Sequence, residues 1–169
     1  FTVDEMDPDA EEVHGFSLEK LYELSEGMEF LDQLQDFMKD FFDADFVIGH
    51  NVQFDIKFLK HELNSLYEVG MIDETWEPKN SFCTMANYKN ICNIPAPRGN
   101  GIKNPKLSEV IDFLNISQDK IATKANELFQ GSGNYHDARF DTAAAYLLVI
   151  EGIKQKYIKP GFFSEQLKK

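Results

Sequence analysis

The segment Asp45–His50 (DFVIGH) constrains this chain more than any other stretch. Phe46, Val47 and Ile48 are apolar in succession and polar residues bound them, so a strand formed here needs cover on both faces, as in a parallel sheet. Asn51 follows as the cap of a helix running to about Leu66, with Phe54, Phe58, Leu59, Leu63 and Leu66 expected to face inward. A second short strand is expected at Ser81–Thr84, leading into a helix near Met85–Cys92. Strands alternating with helices indicate an α/β domain. Two parallel strands by themselves leave long unpaired edges. The rest of the sheet is therefore expected from residues upstream of Phe1 or from another chain. The opening on Phe1 rather than a methionine, straight into Asp4, Glu5, Asp7 and Asp9, raises the same expectation.

The remaining elements follow from periodicity and punctuation. Residues 1–15 read as irregular, with Pro8 as a breaker. Ser17 caps a short helix through Leu24 that stops at Gly27. Phe30, Leu31, Leu34, Phe37, Met38 and Phe41 form one apolar stripe along a helix over Glu29–Phe42. Pro95, Pro97, Gly99, Gly101 and Pro105 mark residues 93–106 as a loop, with Pro105 at the first position of the next helix. That helix packs Leu107, Val110, Ile111 and Leu114. A helix over Gln118–Phe129 is expected to end at Gly131-Ser132-Gly133, and a last one to run from about Asp137 to Tyr157. All 169 residues fit a single domain by length.

Charge narrows the classes of partner. The chain has a net charge of −12, yet residues 1–45 hold 15 acids and 2 bases, while residues 46–169 hold 14 acids and 15 bases. Between Pro78 and Ser108 stand Lys79, Lys89, Arg98, Lys103 and Lys106 with no acid among them. These five bases are either a solvated loop or a phosphate-contacting surface, and the acidity of the first third does not forbid the second. No apolar run approaches the length of about 18 residues that a membrane span needs, and no signal segment opens the chain. Cys83 and Cys92 lack zinc-site spacing and form no disulfide framework, so a reducing, cytoplasmic setting is the expectation.

Two segments place a carboxylate just inside a helix beside a histidine. In His50-Asn51-Val52-Gln53-Phe54-Asp55, Asp55 falls in the first turn, where free backbone N–H groups favour its ionised form. In His136-Asp137-Ala138-Arg139-Phe140-Asp141, His136 stands at the helix entrance, off the face of Asp141 at about 100° per residue. Ala138 and Ala145 share the face of Asp141 and allow close approach to a sheet. Ionised carboxylates at such positions suit hard cations such as Mg²⁺ or Mn²⁺, and a histidine beside them suits a general base.

These segments resemble the second and third motifs of the DEDD 3′–5′ exonucleases, and His136 matches the DEDDh subgroup, which includes the proofreading subunit of bacterial replicative polymerase and RNA-trimming enzymes. Val13-His14-Gly15-Phe16-Ser17 is similar to the turn preceding these motifs; Phe82-Cys83-Thr84-Met85 and Lys106-Leu107-Ser108 are similar to the stretch between them. The resemblance implies a ribonuclease H-like fold and two-metal hydrolysis of a terminal phosphodiester in single-stranded DNA or RNA. It implies Asp55 and Asp141 as ligands of two Mg²⁺ or Mn²⁺ ions, His136 as general base, and His50, Asn51 and Phe54 as the pocket for the 3′-terminal nucleotide. A polymerase is an implied partner; a membrane is not.

Neither expected strand carries the family's first motif, an Asp-x-Glu pair on the first strand. Alternate residues of a strand share a face, so the adjacent pairs Asp4-Glu5, Glu11-Glu12 and Asp73-Glu74 cannot replace it. Asp7-Pro8-Asp9 has proline at its centre, and Asp43-Ala44-Asp45 precedes its strand. The expectation is a domain whose first strands lie outside these residues and which is inactive as this chain alone. The alternative is a non-catalytic module that binds nucleic-acid ends or a protein with the same pocket.

Overall fold

The computed structural model describes residues 3–129 and 137–168. They form two compact units, residues 1–44 and 45–169. The architecture is mixed α/β, mostly helical, around a small parallel sheet of two strands.

The first unit contains α1 (Pro8–His14), α2 (Leu18–Leu24) and α3 (Phe30–Asp43). Pro8, expected to break structure, instead begins α1: Asp7 is its N-cap and accepts the Asp9 N–H at 2.8 Å. A proline at the start of a helix loses no internal hydrogen bond, which explains the correction. Gly15 closes α1 in the left-handed region at φ 71°. Ser17 then caps α2, accepting the Lys20 N–H at 3.2 Å. Along α3 the expected stripe is present: Leu34 is buried, and Phe37 stacks on Phe41 at 4.1 Å between ring centroids.

The second unit holds β1 (Val47–Gly49), α4 (Val52–Glu68), β2 (Ser81–Cys83), α5 (Thr84–Cys92), α6 (Leu107–Phe113), α7 (Gln118–Phe129), α8 (Ala138–Lys154) and α9 (Phe162–Gln166). β1 and β2 pair in parallel with Val47 opposite Ser81 and Gly49 opposite Cys83. Both strands therefore end on the same rim. The register is fastened at its start, where Val47 N–H donates to Asn80 O at 2.9 Å and the Asn80 amide donates to Asp45 O at 3.0 Å.

The core lies between α8 and its neighbours. Tyr88, Val110, Ile111, Leu114, Ile121, Ala125, Phe140, Ala143, Ala144 and Leu148 are buried together. The alanine run of α8 lets neighbouring backbones approach, and Gly152 continues it: a Cβ there would lie 2.1 Å from the Tyr88 hydroxyl oxygen. That hydroxyl donates to Leu148 O at 2.8 Å. Ala145 is buried as expected, whereas Ala138 is exposed at the first turn.

Two expectations are corrected. α6 starts at Leu107 with Lys106 as N-cap, so Pro105 lies ahead of the helix and is itself fully buried. The inward face of α4 is Val52, Ile56 and Leu63, while Phe54 and Phe58 are 58% and 52% exposed. Apolar residues occupy two stripes of this helix, and the β-branched stripe wins the sheet. Finally α9, which is too short to show periodicity, adds Phe162 and Phe163 to a cluster with Phe46, Phe82, Val149 and Ile158. The end of α7 at Gly131-Ser132-Gly133 and the position of His136 lie outside the described residues.

Candidate functional site at the rim of the two strands

Because the strands are parallel, the residues that leave them arrive at one place. His50 follows β1 directly, and Thr84 opens α5 directly after β2. Asn51 turns the chain from β1 into α4 in the left-handed region at φ 70°. Asparagine tolerates that conformation better than most side-chain-bearing residues. Its side chain makes no cap hydrogen bond, so its part here is the turn itself.

His50 is held from two sides. Its Nε2 lies 3.0 Å from Pro105 O, and its Nδ1 lies 3.1 Å from Thr84 Oγ1. A carbonyl oxygen only accepts, so Nε2 carries hydrogen and donates. Thr84 is fully buried, and its hydroxyl also donates to Gly49 O at 3.1 Å. The single hydroxyl hydrogen thus serves two acceptors when the ring is neutral, Gly49 O and Nδ1. Burial pushes the imidazole below its ordinary value; the Pro105 hydrogen bond and the negative charge of Asp141 pull it part of the way back. With both nitrogens engaged, His50 offers a pocket a fixed ring rather than a hydrogen-bonding nitrogen.

Asp141 comes to this rim from the first turn of α8, which packs against β1. Its N–H donates to Asp137 O at 3.0 Å, and its Oδ1 is sealed from solvent. Asp137 is the N-cap of α8 and accepts the Arg139 N–H at 2.9 Å. The Arg139 guanidinium closes on the same carboxylate at 2.7 and 3.0 Å, which holds Asp137 below the usual carboxylate range. Asp137 is therefore spent on Arg139, and Asp141 is the acid whose field reaches His50.

Asp55 stands in the first turn of α4 with an exposed side chain. Partial burial raises its carboxyl above the ordinary value, and its own backbone N–H pulls it back. The expected preference for the ionised form at a helix start is thus outweighed by desolvation. Phe54 is beside Asp55 and faces solvent, its ring 4.7 Å from that of Phe58.

The structure packs α8, whose first turn carries Asp141, against β1, which delivers His50, and adds Thr84 and Pro105, which the sequence reading did not select. The partners lie 34 and 55 residues from His50. A threonine where the second strand gives way to its helix was the available signal for the first. Asp55 and Asp141 are hard oxygen donors and fit Mg²⁺ or Mn²⁺ in kind. They fall short in number: among the described residues no three His, Cys, Asp or Glu side chains group to hold an ion. No family model, curated protein or solved structure matches the chain.

Proposed function

We propose that this chain carries the second and third motifs of a DEDDh-type 3′–5′ exonuclease on a ribonuclease H-like fold, acting on the 3′ end of single-stranded DNA or RNA. The observation that carries the reading is that α8, whose first turn holds Asp141, packs against β1, whose end delivers His50. In this reading the two segments that resemble family motifs, about 90 residues apart in sequence, serve one rim of the sheet.

Within that reading Asp55 and Asp141 are the oxygen donors offered to Mg²⁺ or Mn²⁺, His136 is the base for the attacking water, and His50, Asn51 and Phe54 shape the place of the terminal nucleotide. A divalent ion would clamp phosphate oxygens and acidify a bound water. Asp9-Ala10-Glu11 has the Asp-x-Glu spacing but lies in α1 rather than on a strand, so these residues alone are assigned no hydrolytic step. Their own part is to fix the rim. Thr84 and Pro105 hold the His50 ring, Arg139 neutralises Asp137, and the exposed Phe54 ring presents a flat apolar face to a sugar or base.

The test uses the protein as its gene encodes it and a 5′-labelled oligonucleotide with Mn²⁺. Stepwise shortening from the 3′ end is expected, and Asp141→Ala or His136→Ala should each slow it at least about 100-fold. Undiminished shortening in either variant removes the assignment. Among the described residues no third His, Cys, Asp or Glu groups with Asp55 and Asp141, which leaves a second reading, a non-catalytic module that grips a nucleic-acid end or a protein at the same rim. That module would bind the oligonucleotide equally with and without EDTA and would never shorten it.

A further inference from the structure

The segment between α5 and α6, expected to be only a loop, is built as a small hairpin. Pro95 and Ile102 form an antiparallel bridge; Ala96 N–H donates to Gly101 O at 2.8 Å and Lys103 N–H donates to Ile94 O at 3.0 Å. Gly99 makes the reversal at φ 81°, beside Arg98 at the exposed tip. The root of the hairpin is fixed at the candidate site, because Pro105 is fully buried and its carbonyl takes the His50 Nε2 hydrogen. At strand-like rise the arm carries Arg98 about 10 Å out from that root.

The charges on the hairpin are not equivalent. Lys103 pairs with Glu109, whose carboxylate also accepts the Lys106 N–H at 2.7 Å, so that acid and that lysine satisfy each other. The chain has two arginines. Arg139 is closed on Asp137, whereas Arg98 pairs with no acid among the described residues. Lys106 is exposed next to Pro105. A guanidinium left open at the tip and an ammonium at the root, in a stretch without acids from Pro78 to Ser108, complement a chain of phosphates.

We propose that the Ile94–Lys103 hairpin is a phosphate-contacting finger, with Arg98 at its tip and Lys106 at its root engaging the sugar–phosphate backbone of a single-stranded nucleic acid whose end lies at the His50–Asp141 rim. This rests on the nuclease reading for the location of the end, but its own chemistry is charge. Binding of a fluorescent oligothymidylate is measured in EDTA, where hydrolysis is silent, across a salt series. Each phosphate contact on a single strand contributes about 0.7 to the slope of log affinity against log salt. Arg98→Gln with Lys106→Gln should weaken low-salt binding about tenfold and reduce the slope by about 1.4, and Arg98→Gln alone by about 0.7. Arg98→Lys should keep the wild-type slope. Lys156→Gln, past the far end of α8 from Asp141, should bind as wild type. An unchanged slope in the double variant, with melting like wild type, overturns the finger, as does absence of any oligonucleotide binding at low salt. The two readings separate cleanly. A reduced salt slope in the double variant, with Asp141→Ala shortening the strand undiminished, leaves the finger and removes the assignment of Asp141; the reverse pattern does the opposite.

Discussion

Thr84 is the residue on which the rim depends. Its hydroxyl hydrogen is wanted by both Gly49 O and His50 Nδ1, inside a fully buried environment. Thr84→Val keeps the shape and removes the donor, so denaturant unfolding should register a loss of about 1–3 kcal/mol. Thr84→Ser should recover most of it. The His50 ring has a pH signature of its own. Its native value is lowered from 6.5, so between the native value and 6.5 the unfolded chain binds more protons than the folded one. Stability should therefore fall as pH drops through that window, and His50→Gln should flatten the melting temperature there; an equal slope in the variant would contradict the assignment. At this scale the sequence was readable where chemistry is local. Asp141 and His50 stand out because each adjoins the start of a helix. The Thr84 and Pro105 contacts were not readable, since hydrogen bonds across dozens of residues leave no spacing to detect.

Among the elements, α8 is the one against which α5, α6, α7 and β1 pack, and Gly152 is its tightest point. Gly152→Ala would drive a methyl group into the Tyr88 hydroxyl and to 2.9 Å from Ile158 Cδ1. A loss of about 1–3 kcal/mol is expected from such overpacking. Tyr88→Phe removes the obstructing oxygen together with its bond to Leu148 O. Combined, the two substitutions should cost less than their sum, a coupling that a double-mutant cycle by calorimetry would expose. Helices with one clean stripe and a capping residue were legible: α7 spans the expected Gln118–Phe129, and α3 and α2 begin where Glu29 and Ser17 cap them. α4 was legible in extent but not in orientation, because Phe54 and Phe58 compete with Val52, Ile56 and Leu63 and hydrophobicity alone does not rank two stripes. α1 was hidden by reading Pro8 as a stop, and α9 by being one turn long.

For the whole molecule, charge divides as the compact units do. Residues 1–44 hold 14 acids and 2 bases, a net of −12, while residues 45–169 hold 15 of each and balance to zero. All the net repulsion of a polyanion thus belongs to the first unit. Removing four of its acids, for example by Glu11→Gln, Glu12→Gln, Glu19→Gln and Glu23→Gln, should tighten oligonucleotide binding at low salt and leave it unchanged near 1 M, where charges are screened beyond about 3 Å. Equal tightening at both salts would point to a contact rather than a field. The parallel register has a further consequence. Its two strands deliver His50 and Thr84 to one rim although a 17-residue helix and a long connection intervene. That connection is anchored by Ile72 and Trp76, with Asp73, Glu74 and Thr75 bulging into solvent between them. Extra residues inserted at Asp73–Thr75 should lengthen the excursion without displacing either anchor, so natural length variation is best accommodated there and a purification or fluorescent tag spliced into that bulge should leave the rim intact.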